Sequence, residues 1–202
     1  VSRTDTLEIL EDAGIAAFGY EQVQLLEING IKVGLTGIYE LAEHLEKKQQ
    51  VKENIAALKE AGAELIIVNF HWGMEREYVP NKTQKKLAHL AIDEGADLII
   101  GHHPHVLQGI EKYKGKYIAY SLGNFCFGGN SNPQDKDTMI FQQTFTIEDG
   151  KLKKDDNINI IPCSVSSKSN VNDYCPTPLE GDEKQRVLDK IEEYSGQIQD
   201  NN

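Results

Sequence analysis

The sequence predicts an α/β domain, and three observations carry that prediction. Two apolar runs, LIIV at 65–68 and LII at 98–100, are too continuous for strands with one wet face. Such runs suit parallel strands buried on both faces. Between them, residues 81–95 set Leu87, Leu90 and Ala91 on one helical side and stop at Gly95. Strand, helix, strand is the crossover unit of a parallel sheet. Past residue 109 the chain turns to short strands about tight turns, richer in Tyr, Phe and Thr, so its second half is expected to be antiparallel.

The remaining elements follow in order. Residues 6–13 form a short amphipathic helix that closes at Gly14. Asn29-Gly30, a strong hairpin signal, separates two short strands. Residues 41–61 turn helical, with Ile55, Leu58 and Ala61 on one face and Gly62 as the stop. Lys114-Gly115 and Asp149-Gly150 mark two further hairpins. A loop rich in Ser, Asn, Pro and Cys occupies 162–178. The segment 179–202 supplies a terminal helix, from about Asp182 to Tyr194, and a polar tail expected to fray.

The 202 residues suit one domain spanning 1–202. A net charge of −11 argues against nucleic-acid or anionic-membrane partners, which need a basic footprint, and it can attract cations. No apolar run reaches the roughly 18 residues of a membrane span, and the first residues lack the basic and apolar blocks of a secretory signal. Cys126, Cys163 and Cys175 are odd in number without CxxC spacing, so free thiols are expected. A Cys163–Cys175 bridge stays open for an oxidising compartment. No P-loop, dinucleotide fingerprint or Ser-His-Asp order occurs.

Chemistry concentrates where the two buried strands end. One runs into His71-Trp72-Gly73, the other into His102, His103 and His105. Ligands of open α/β sheets collect at the carboxyl ends of parallel strands, so both groups fall on one edge. Imidazole is the commonest metal ligand, and Pro104 stiffens the loop between His103 and His105. For His71 alone the ordinary alternative is a packed, hydrogen-bonded side chain. His44 and His89 lie in helical contexts and are read as surface residues. Glu75, four residues after His71, is a candidate acid/base or outer-sphere carboxylate, against the alternative of a solvated loop residue. Ser121 and Asn124 flank Gly123, where the backbone can approach a ligand closely; a simple turn is the alternative.

Residues 71–125 resemble the CapA family of poly-γ-glutamate capsule synthesis proteins. His71, Trp72, Gly73 and Glu75 match its H-W-G-x-E element, residues 95–105 its G-A-D-x-[IV]-I-G-H-H-P-H element, and 120–125 its Y-S-L-G-N-F element. The resemblance extends more weakly over roughly 5–165. It implies a fold like that of calcineurin-like metallophosphoesterases, an αββα sandwich of mixed sheets between helices, here without its N-terminal strands.

By the same resemblance, His71, His103 and His105 would be metal ligands and His102 a ligand, a general acid or an outer-sphere group, while Glu75 stays the acid/base candidate read from the residues. Ser121 and Asn124 are the substrate-contact candidates from the residues themselves. The cofactor would be a divalent metal (Mn, Zn or Fe), two ions in the complete protein, supporting in-line attack at phosphorus. The GHHPH loop has one histidine more than the G-H-x-H pattern, so two registers are open. The family's upstream Asp strand, Asn-Leu-Glu element and Asn-Asn-His loop find no counterpart in these residues, and this chain alone is expected to bind metal weakly and to be inactive.

The expected partners are an anionic polymer or a phosphoester substrate and the capsule synthesis machinery, at the cell surface in a membrane-associated full-length protein. The competing reading is a non-catalytic accessory or polymer-binding protein. Lysines 112, 114 and 116 with two tyrosines could serve such binding, although an exposed hairpin explains them equally.

Overall fold

A computed structural model describes residues 3–148, 151–153 and 157–200. Helix α1 (Arg3–Asp12) ends at Gly14, whose φ of +68° lets the Ile15 N–H return to the Leu10 carbonyl. Strands β1 (Gln24–Ile28) and β2 (Ile31–Tyr39) pair antiparallel about Asn29 and Gly30. Both turn residues have positive φ, 54° and 80°, as a two-residue type I′ turn requires.

A 3-10 turn (His44–Lys47) leads into α2 (Lys48–Glu60), then β3 (Leu65–His71), α3 (Lys82–Glu94) and β4 (Leu98–His102). Asn81 starts α3 with a capping box. Its side chain accepts from the Thr83 and Gln84 N–H groups, while Gln84 reaches back to the Asn81 N–H. The hairpin of β5 (Ile110–Tyr113) and β6 (Lys116–Ala119) turns at Lys114 and Gly115. These strands form one sheet in the order β1-β2-β3-β4-β6-β5, in which β2, β3, β4 and β6 are parallel.

Next come β7 (Asp137–Gln143), the short pair β8 (Ile147–Glu148) and β9 (Lys151–Leu152), then β10 (Ile158–Ser164), β11 (Thr177–Pro178) and α4 (Gly181–Asp200). Strands β11, β10 and β7 make a second, antiparallel sheet. The Asp149-Gly150 turn lies outside the described residues, and β8 and β9 pair antiparallel on either side of it.

Alternation along the strands builds the layers. Ile66, Val68 and Phe70 of β3 and Ile99 of β4 pack into one core with Val51, Ile55 and Leu58 of α2 and Leu87, Ala88 and Ala91 of α3. Ile100 of β4 and Ala119 of β6 join the other core, with Met139 of β7 and Val187 and Ile191 of α4. Each large aliphatic residue buried this way contributes roughly 1.5–3 kcal/mol. The result is the mixed α/β sandwich expected, helices α2 and α3 on one face and the second sheet with α4 on the other.

Three boundaries differ from expectation, the first being the helix expected over 41–61, which starts at Lys48 after the 3-10 turn. The irregular segment after β10 is shorter than 162–178, because β10 continues to Ser164 and Thr177–Pro178 pairs with it. Helix α4 runs past Tyr194 to Asp200. Ile198 is fully buried and its carbonyl accepts from Lys85 Nζ, so packing holds the last turns in place.

Candidate metal centre

Strands β3 and β4 are in parallel register with His71 opposite His102, so both end on one edge of the sheet. The loop that follows β4 doubles back on the β3 side. Trp72 N–H donates to the His102 carbonyl at 3.1 Å and Arg76 N–H to the Pro104 carbonyl at 2.8 Å. His103 and His105 are held at φ of +99° and +60°. Non-glycine residues in such regions cost on the order of 1–3 kcal/mol each, which the surrounding bonds must offset. The glycine and tryptophan of the two motifs have a packing cause. Trp72 Nε1 donates to the Tyr120 carbonyl at 2.9 Å, and a Cβ on Gly101 would lie 2.0 Å from that same oxygen.

These constraints bring Glu75, His103 and His105 together, each offering one ligating atom within 4.8 Å of the others. The His71 ring stands beside them, its centroid 4.7 Å from that of His103. Asn124 fixes the chemistry of His105. Its amide nitrogen donates to the His105 carbonyl at 3.1 Å, which leaves its Oδ1 to accept from His105 Nδ1 at 2.8 Å. The Nε2 lone pair of His105 is then the free one, 4.0 Å from Glu75 Oε1. A ring oriented by an amide through one nitrogen, with a carboxylate near the other, is a donor set that suits a divalent cation.

Electrostatics point the same way. His71 is held below the usual histidine pKa by desolvation first and then by the positive charge that His103, His102 and His105 would carry. His103 is lowered by desolvation and by His105, against an opposing pull from Glu75 and Glu40. His102 is lowered by desolvation, although the residue as a whole is exposed. Neutral imidazoles are the ligating form.

The structure therefore gathers His103, His105 and Glu75, sets His71 beside them, and leaves His102 at the end of β4 outside the group of three. Asn124 touches His105 and lines a groove of about 1260 Å³ that runs from Glu75 and His105 past Lys136 and Lys168. Ser121 is placed otherwise. It is buried, its hydroxyl donates to the Val106 carbonyl at 2.7 Å and accepts from the Gly123 N–H, so it shapes the loop from inside.

Other residues also fall differently from the sequence reading. His44 has an exposed ring bonded to Glu40, but His89 is mostly covered, stacked on Tyr113 and bonded to Glu111, which corrects its surface assignment. All three cysteines are free, Cys163 buried and the other two exposed. The site residue that the sequence reading passed over is Glu40. It follows the apolar strand β2 on the same carboxyl edge, and that position was the available signal.

Residues 2–129 match the model of the bacterial capsule synthesis protein family PGA_cap. The chain belongs to that family. It is 52% identical over 69 residues to the capsule biosynthesis protein CapA of Bacillus anthracis, covering 34% of this chain and 17% of that protein. It is 54% identical over 65 residues to the PGA biosynthesis protein CapA of Bacillus subtilis, covering 32% and 17%. A probable polyglutamine synthesis accessory protein of Mycobacterium tuberculosis is 36% identical over 74 residues, 37% of this chain and 19% of that one. The matched stretches thus span under a fifth of these relatives' lengths. A hypothetical protein from Thermus thermophilus shares the fold at a TM-score of 0.50 and 13% identity, over 80% of this chain and 81% of that one. No helix among the described residues is long and apolar enough to cross a membrane.

Proposed function

We propose that this chain carries the histidine wall of a divalent-metal-dependent hydrolase site that serves poly-γ-glutamate capsule synthesis. The observation that carries the reading is the convergence of Glu75, His103 and His105 within 4.8 Å, with His71 alongside. The three grouped donors would need a fourth ligand, such as His71 or water, for a tetrahedral ion such as Zn²⁺, and Mn²⁺ or Fe²⁺ would need further oxygen ligands. When bound, the ion supplies Lewis acidity at the bond to be cut. His103, His105 and Glu75 would hold it, with His71 beside them on β3. Asn124 keeps the His105 Nε2 turned toward it. His102, at the end of β4 beside the group of three, is the residue suited to protonate the leaving group, a role it fills only in its protonated form. The substrate class is a phosphoester or a γ-glutamyl polymer, with the site exposed at the cell surface.

A second reading is favoured by the groove. It leads away from the histidines and is lined by Arg76, Lys136 and Lys168, beside the ion-paired Arg186 and Lys190. Asp135, Asp137 and Glu183 also line it, so Arg76, Lys136 and Lys168 are the cations that would retain an anionic polymer without turnover. One assay separates the two. A generic phosphodiester and a γ-glutamyl oligomer are incubated with a full-length form of the protein, with and without Mn²⁺, beside its His103→Ala variant. Metal-dependent turnover abolished by the substitution supports the hydrolase. Polymer binding that survives chelation and the substitution, without turnover, supports the accessory protein.

A further inference from the structure

Glu40 is nearly inaccessible, 1% exposed, yet it stands next to an edge crowded with histidines. Burying a carboxylate is costly unless its oxygens are satisfied. Here one oxygen meets His44 Nδ1 at 2.6 Å and the other accepts from the Gly73 N–H at 3.2 Å. The backbone adds a third tie, because the Glu40 N–H donates to the His71 carbonyl at 2.9 Å. Residue 40 therefore grips the His71-Trp72-Gly73 turn at both of its ends.

Its surroundings make that grip consequential. Gly73 has φ of +77°, and a Cβ there would fall 2.7 Å from Gln84 Oε1, so the turn is wedged between Glu40 and the capping residue of α3. Tyr39, adjacent to Glu40, stacks on the His71 ring with centroids 5.5 Å apart, and that ring meets His103 at 4.7 Å. A glutamine could still accept from the Gly73 N–H, but its amide nitrogen would have to donate to the other tautomer of His44. A carboxylate also places a buried negative charge directly behind the turn that carries His71.

We propose that Glu40 is a positioning residue of the histidine centre, fixing His71 through the Gly73 amide and adding a buried negative charge that favours a cation. Both of its oxygens are already bonded, so it acts from behind the donors. The inference rests on the metal-binding reading for its consequence, but its geometric half can be tested without any ion.

The test compares Glu40→Gln and Glu40→Ala with the unaltered chain, with His89→Ala as a control for general loosening. In metal-free protein, amide hydrogen exchange at Gly73 is expected to speed up about tenfold or more in Glu40→Ala and to change little in Glu40→Gln, whose carbonyl can still accept. In Zn²⁺ titrations, Glu40→Gln is expected to weaken binding about tenfold despite the retained Gly73 protection, and Glu40→Ala to weaken it further. A merely structural role would not separate the two readouts in this way. Unchanged Gly73 exchange in Glu40→Ala overturns the proposal, as does Zn²⁺ binding that is equal in the unaltered chain and Glu40→Gln. Absence of Zn²⁺ binding by every form overturns the metal-binding reading and the charge role together, while Gly73 exchange still decides the clamp.

Discussion

His89 lies face to face on Tyr113, with centroids 3.8 Å apart, and its Nε2 meets both oxygens of Glu111 at 2.9 and 3.0 Å. His71, His103 and His105 instead face mainly one another, across centroid distances of 4.7 and 5.7 Å. The first arrangement is electrostatically complete. Glu111 is pushed up by burial, but bonds from His89 and Tyr120 outweigh this and hold its pKa below the usual range. The second arrangement is incomplete: His71 and His103 are lowered by desolvation first and then by neighbouring imidazoles, and Glu75 reaches His105 only at 4.0 Å. A histidine with a carboxylate at bonding distance and an aromatic platform is part of the scaffold. Histidines turned toward each other at a groove mouth lack a partner for their lone pairs, and a cation would supply one.

Substitutions can break this contrast at either end. The largest effect is expected for His103→Ala, which should weaken Zn²⁺ binding by more than about 100-fold, since it removes a donor outright. The titration should be run beside His89→Ala, which should leave that affinity unchanged. Asn124→Ala comes next. Freed of its amide partner, His105 can present either nitrogen, and Zn²⁺ affinity should fall about tenfold with thermal stability nearly unchanged.

Glu111→Gln should act on stability and spare the metal, by about 1–2 kcal/mol at neutral pH in denaturant unfolding. Its sign with pH follows from linkage. Because the folded pKa of Glu111 is depressed, its contribution is present above the unfolded carboxylate value and is lost as pH falls through the folded one. The gap between variant and unaltered chain should therefore close in acid. The smallest effect is expected for Lys168→Ala, about two- to threefold weaker retention of a γ-glutamyl oligomer, diminishing as salt is raised.

Much of the scaffold was legible in the residues. The runs at 65–68 and 98–100 could bury both faces only as parallel strands, and Asn29-Gly30 and Lys114-Gly115 could adopt positive φ. The convergence of His71 with the GHHPH loop followed from strand polarity alone. What escaped depends on partners far apart in sequence. His89 looked exposed because its covering residues, Glu111 and Tyr113, come from β5. Ser121 looked available because nothing local reveals that its hydroxyl turns to Val106. Glu40 drew no notice because its partner, the Gly73 amide, comes from the distant loop after β3. The tail looked frayed until Lys85 and the core claimed Ile198.

The most direct test of the central claim is a Co²⁺ titration followed by visible absorption, which reports the number and geometry of nitrogen and oxygen donors. The account predicts saturable bands of low-coordinate Co²⁺, present in the unaltered chain and in His89→Ala and lost in His103→Ala. Bands that persist in His103→Ala, or a titration in which no site saturates, would contradict it.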